Sequence, residues 1–140
     1  MKKVFLGLVM VGMSIICEAQ CEYLARGTGQ LQLVPYKYEG NYKGVEMGED
    51  DEAEVYKTIF AKTQYRLVVC IDDTLPDVEF VVSDIHRNIL FDNRKHGNVR
   101  VWDFKLESSQ QIKVTLRIKK QDNGKSEKVL GCVAVLFGKL

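Results

Sequence analysis

Two histidines and four cysteines are the side chains in this 140-residue chain best suited to hold a metal or act as nucleophiles. A zinc site draws such ligands together at short spacings. Neither His86 nor His96 has a second histidine or a cysteine at such a spacing, and both fall in turn-like stretches. An exposed imidazole is the ordinary reading there. Asp92–Gly97 carries a glycine where a calcium loop wants one, but Arg94 and His96 occupy its third and fifth positions. Oxygen donors belong at both. The acidic run Glu49–Glu54 reads as a solvated loop, because clustered carboxylates repel one another unless folded round an ion. Ser83, Asp84 and His86 lie close together, yet no strand–turn–helix elbow surrounds the serine and a strand would alternate their directions. Cys21 has no histidine or helix start beside it to lower its pKa. No glycine-rich phosphate loop is present. The expectation is a non-enzyme with no catalytic, metal or cofactor-binding residues.

Binding chemistry has better material. Tyr36 and Tyr38 are two apart and share a face in an extended segment, with Tyr42 nearby. Flat rings with polar tips suit stacking on a sugar or on a partner's side chains. The same residues can instead pack over the open end of a sandwich. Tyr36, Tyr38 and Tyr42 are therefore the candidate ligand or partner contacts. Trp102 and Phe104 read as core.

Where such residues would work is set by the amino terminus. Lys2 and Lys3 precede Val4–Cys17, a stretch of 14 residues without charge, and Cys17-Glu18-Ala19 offers small residues at the −3 and −1 positions of a cut. That pattern predicts a cleaved secretory signal peptide over 1–19. A membrane-spanning helix needs about 20 apolar residues, so no membrane span is expected. A lipid anchor at Cys17 is the minor variant, since Ile15 and Ile16 stand where a lipoprotein signal wants small residues. The expected location is secreted, periplasmic or at the cell envelope.

Export makes cysteine pairing an open question, because Cys21, Cys70 and Cys132 remain after the cut. Cys70 ends one strand-like run and Cys132 begins another, which favours a Cys70–Cys132 bridge with Cys21 free or bonded to a partner. The alternative is that both strand cysteines are buried small apolar residues.

From Val55 onward the pattern is strand and turn. Val55–Phe60, Tyr65–Ile71, Val78–Ser83, Ile89–Phe91, Val99–Leu106, Ile112–Lys119 and Val129–Phe137 are seven strand-like runs. Turns fall at Asp72–Asp77, at Asp84–Asn88 and at Asp122-Asn123-Gly124. Broken alternation at Val101-Trp102 predicts a bulge. The last run is apolar on both faces, which predicts a central strand. Residues 20–54 read as an extension with one or two edge strands, at Leu31–Val34 before Pro35 and at Gly44–Gly48. The expected fold is all-β, an antiparallel jelly-roll-like sandwich over 55–140.

The chain after residue 19 carries 18 basic and 18 acidic residues, which excludes a strongly basic nucleic-acid binder. The balance conceals a split: Gln20–His86 has six basic and 13 acidic residues, Arg87–Leu140 has 12 and five.

Val55–Leu140 resembles a group of small exported β-sandwich proteins of Bacteroidetes-type bacteria. Tyr65–Cys70, Ile89–Asn93, Trp102-Asp103-Phe104 and Gly131–Gly138 carry the resemblance. More distantly, the plan is similar to jelly-roll domains appended to secreted peptidases. The resemblance implies a fold and a compartment and no catalytic motif. The functional expectation is an exported binding module for a protein or glycan partner. The alternatives are an accessory subunit of a surface or secretion assembly, linked through Cys21, and, behind it, a small hydrolase.

Overall fold

The computed structural model describes residues 21–40, 43–120 and 129–140. The signal-peptide region, Cys17, Tyr42 and the Asp122-Asn123-Gly124 turn lie outside them. Nine strands are described: β1 (Lys37–Tyr38), β2 (Lys43–Gly48), β3 (Glu52–Ile59), β4 (Gln64–Ile71), β5 (Val78–Asp84), β6 (Ile89–Asp92), β7 (Val101–Lys105), β8 (Gln110–Ile118) and β9 (Leu130–Lys139). They form two antiparallel sheets. In sheet I, β1 and β2 share the outer edge of β9, and β4 and β7 follow; sheet II runs β3-β8-β5-β6.

Alternation explains the core. Tyr65, Leu67, Val69 and Ile71 of β4 meet Phe80 and Val82 of β5, Ile112, Val114, Leu116 and Ile118 of β8, and Val133, Val135 and Phe137 of β9. Each such side chain removed from water contributes about 1.5–3 kcal/mol. The other face of β4 and β9 is buried too, because a helical segment over residues 21–33 lies on it. Ala25 and Leu33 of that segment pack on Val68, Cys70, Ala134 and Leu136. That is why β9 is apolar on both faces, and β9 is central as expected.

The helical segment corrects two expectations. Leu31–Val34 is not an edge strand: Ala25–Gly29 is a π-helical turn and α1 (Gln30–Leu33) continues it. Gly29 is what lets the segment lie so low. A Cβ there would sit 2.8 Å from Leu136 Cδ1 and 2.9 Å from Cys70 Sγ. The second correction is the disulfide, which joins Cys21 to Cys132 and leaves Cys70 free and buried. Cys70 lies opposite Ala134, two residues from Cys132, so the two strand cysteines are diagonal neighbours and the helix delivers Cys21 to Cys132 instead. With Cys21 bridged inside the chain, a covalent link to a partner through it is lost. Burial pushes the Cys70 thiol up to about 11. Iodoacetamide at pH 8 should therefore leave Cys70 unmodified in the folded protein and label it once denatured. Rapid labelling of the native form would contradict the burial.

The far end of the helical segment is held by Arg66. Its guanidinium makes a two-pronged bond to Asp103, at 2.6 and 2.8 Å, and Nη1 donates to the Gln32 and Val34 carbonyls, both at 3.1 Å. The bulge expected at Val101-Trp102 is absent. β7 pairs with β4 residue for residue, and Val101 is simply a valine left on the outer face, 36% exposed, beyond the helix's cover. The irregularity in the sheets falls at Val82/Ser83.

Candidate functional site

Each sheet of a sandwich ends in an edge strand, and the space between two edges is either plugged or open. On one side, between β6 and β7, it is plugged by stacked rings. Centroids are 5.7 Å apart for Tyr65 and Phe104, 4.2 Å for Phe104 and Trp102, 4.9 Å for Trp102 and Phe91, and 4.9 Å for Phe91 and His96. Trp102 and Phe104 are therefore structural, as expected, and His96 caps the stack.

Among the described residues, the opposite side, between β1 and β3, is open. A cleft of about 270 Å3 enters there, lined by Tyr38, Glu39, Gly40, Glu54, Val55, Tyr56, Lys57, Val135 and Phe137. Its floor is made by inward positions of β3 and β9. Lys57 falls on the inward face of β3, with Ala53, Val55 and Ile59, where an apolar residue would be ordinary. Its ammonium is 5.8 Å from the Phe137 ring centroid, 3.5 Å from the Glu39 carbonyl oxygen and 4.0 Å from Glu39 Oε2. Both charged side chains are half-buried. Gly40 turns the chain off the β9 edge with a φ of +96°, a region that costs a side chain dearly. The result is an amphipathic recess with an ammonium and a carboxylate at its mouth.

Two tyrosines stand at its rims. Tyr38 is half-buried against the cluster beneath the helix. Tyr56 is 56% exposed, and its hydroxyl donates to Glu54 Oε2 at 3.0 Å. That hydrogen bond raises the phenol's pKa. Tyr56 also borders a second depression of about 190 Å3, with Asp84, Ile85, Arg87 and Lys113. Tyr36 lies away from the cleft, its ring 4.6 Å from the Arg66 guanidinium carbon. Sequence reasoning missed Glu39, Tyr56 and Lys57. Their meeting depends on β1 and β3 facing one another across β9, although a lysine at an inward strand position was a visible signal.

The nucleophile and metal candidates are placed elsewhere. Ser83 is buried on β5, and the Asp84 carboxylate accepts from the backbone N–H groups of His86 and Asn88 at 2.8 and 2.9 Å. It also accepts from Asn88 Nδ2, and these bonds hold its pKa below the usual carboxylate range. Asp92 is buried at the start of a 3-10 turn and is engaged by Arg94. No group of three metal-ligating side chains occurs among the described residues.

No protein-family model matches the chain, and no curated protein matches it. Among solved structures, the fold is similar to that of PliG from Aeromonas hydrophila, a periplasmic lysozyme inhibitor of g-type lysozyme. The two superpose with a TM-score of 0.52 at 8% identity, over 76% of this chain and 89% of that one. The likeness is one of fold.

Proposed function

We propose that the chain is an exported, non-catalytic binding module that takes a protein partner at the cell envelope through the edge cleft and its tyrosine rims. The observation that carries this reading is the open recess in which Glu39, Lys57 and Phe137 converge while the other side of the sandwich is closed. Concave sites with an apolar floor and a few convergent polar groups are where ligands bind. The Cys21–Cys132 bridge supports an oxidising compartment. Strand order supports the jelly-roll reading, because β2 to β9 alternate between sheets except at the β5–β6 hairpin. The fold neighbour PliG is an inhibitor of a protein, which favours a protein over a glycan as partner.

The test is binding of the purified chain to a g-type lysozyme and to a glycan array, with Tyr56→Ala as the control variant. Tyr56 is exposed, so its removal should leave the melting temperature unchanged while weakening a true partner at least about tenfold. Equal binding by the variant would remove the cleft rim from the site. Capture of glycans alone would replace the protein partner by a sugar.

A further inference from the structure

We propose that the sandwich end formed by the β3–β4, β5–β6 and β7–β8 connections docks on an anionic lipid bilayer. Strand register puts these connections together: Ile59 lies opposite Gln110, Asp84 opposite Ile112 and Gln64 opposite Lys105. Five exposed cations collect there, Lys37, Lys62, Arg87, Lys105 and Lys139. None of them joins an ion pair among the described residues. Among the described residues, the carboxylates in or beside these three connections are Glu107 and Asp84, the latter occupied by its own turn. Lys37 and Lys139 stand directly opposite each other on β1 and β9. Facing like charges destabilise a sheet, and Glu39, two residues beyond Lys37, is turned to Lys57. At the other end, Lys119 and Lys120 have Glu49, Asp50, Asp51, Asp72, Asp73 and Asp77 in the neighbouring turns.

The same end exposes apolar loop tips. Phe60 is 52% exposed and Ile85 66%. Both are held outward by their own turns. Phe60 N–H donates to the Tyr65 hydroxyl at 3.2 Å, Ala61 N–H to Ser109 Oγ at 2.8 Å, and Lys62 N–H to the Leu106 carbonyl at 2.8 Å. Lys62 and Arg87 take φ values of 55° and 66°, where glycine or asparagine is the easy choice, yet long cations stand there.

The pattern fits a membrane better than a protein. Protein interfaces are depleted in lysine and gather their apolar residues into one desolvated core. Here lysines surround two separate apolar tips. Cations reaching the headgroup phosphates while Phe60 and Ile85 enter the interfacial layer use both features at once.

Flotation of the purified chain with vesicles tests this. Binding is expected to phosphatidylcholine–phosphatidylglycerol vesicles and not to phosphatidylcholine alone, and it should fall steeply with salt. Lys62→Ala and Lys105→Ala should each weaken it about fivefold. Phe60→Ser with Ile85→Ser should weaken it at unchanged charge, while Lys119→Ala leaves it intact. No binding to mixed vesicles at low salt overturns the proposal. So does binding to a polyglutamate peptide without vesicle binding, which would make the face a protein-docking surface. Because Lys62 and Lys105 lie outside the lining of the cleft, Lys62→Ala and Lys105→Ala should leave partner binding there intact, and the cleft and the membrane face can fail separately.

Discussion

Reduction of the Cys21–Cys132 bridge is expected to lower the melting temperature by about 16–20 °C. The bridge closes a loop with a sequence separation of 111. For a loop of about 100 residues, the restriction of the unfolded chain is worth about 4–5 kcal/mol. Each kcal/mol moves the midpoint of a domain this size by about 4 °C. Structure adds a direction to the loss. One end of the helical segment is tied by the bridge and the other by Arg66, with Ala25 and Leu33 buried between. Without the bridge, residues 21–29 should exchange amide protons first, while residues 30–33 stay protected under the Arg66 clamp. Cys21→Ser, Cys132→Ser and the double variant should give nearly the same midpoint, since each removes one shared interaction. A shift under about 3 °C, or a proteolytic fragment joining Cys70 to Cys132, would mean the bridge is not the one described.

How much of this was legible in the sequence depended on the range of the forces involved. The seven strands of 52–139 were readable because alternation is a local signature. Ile112, Val114, Leu116 and Ile118 point to the core wherever that core lies. The helical segment was not readable. Gln30-Leu31-Gln32-Leu33 alternates like a strand, and Gly27 and Gly29 weaken a helix in isolation. Packing on β4 and β9 decides its conformation, and a segment that short takes its stability from tertiary contact. The cysteine pairing failed for the same reason. Once a helix covers sheet I, the nearest partner of Cys132 comes from the cover and not from the adjacent strand. The tyrosines fall in different places. Tyr38 does border the cleft, while Tyr36 is spent on Arg66, whose presence beside it depends on the β4–β7 pairing that fixes Asp103. Lys57 and Glu39 are 18 positions apart, and they meet because the β1 edge of sheet I faces the β3 edge of sheet II.

The second large effect should come from Asn93, a polar residue with no exposed surface at all. Its Nδ2 donates to the Val78 carbonyl at 3.0 Å and to the Val99 carbonyl at 3.2 Å, and its Oδ1 accepts from Phe80 N–H at 2.9 Å. One side chain thus ties the start of β5 to both ends of the β6–β7 connection. Asn93→Ala would strand one donor and two acceptors, and a buried group without a partner costs about 1–3 kcal/mol. Since the three share one small space, a total loss of about 3 kcal/mol is expected from urea unfolding at neutral pH. Asn93→Asp separates this account from simple loss of volume. The carboxylate keeps the shape and the bond from Phe80 N–H, but it faces two carbonyl oxygens with no proton to give and carries a charge into the interior. Burial raises that group's pKa in the folded state, so stability lost at pH 7 should return as pH falls and the carboxyl becomes a donor again. Asn93→Asp should therefore be worse than Asn93→Ala at pH 7, and the gap between it and the wild type should narrow towards pH 4. If both variants unfold at the wild-type urea concentration, the β6–β7 connection is held by the aromatic stack alone and the buried amide is incidental.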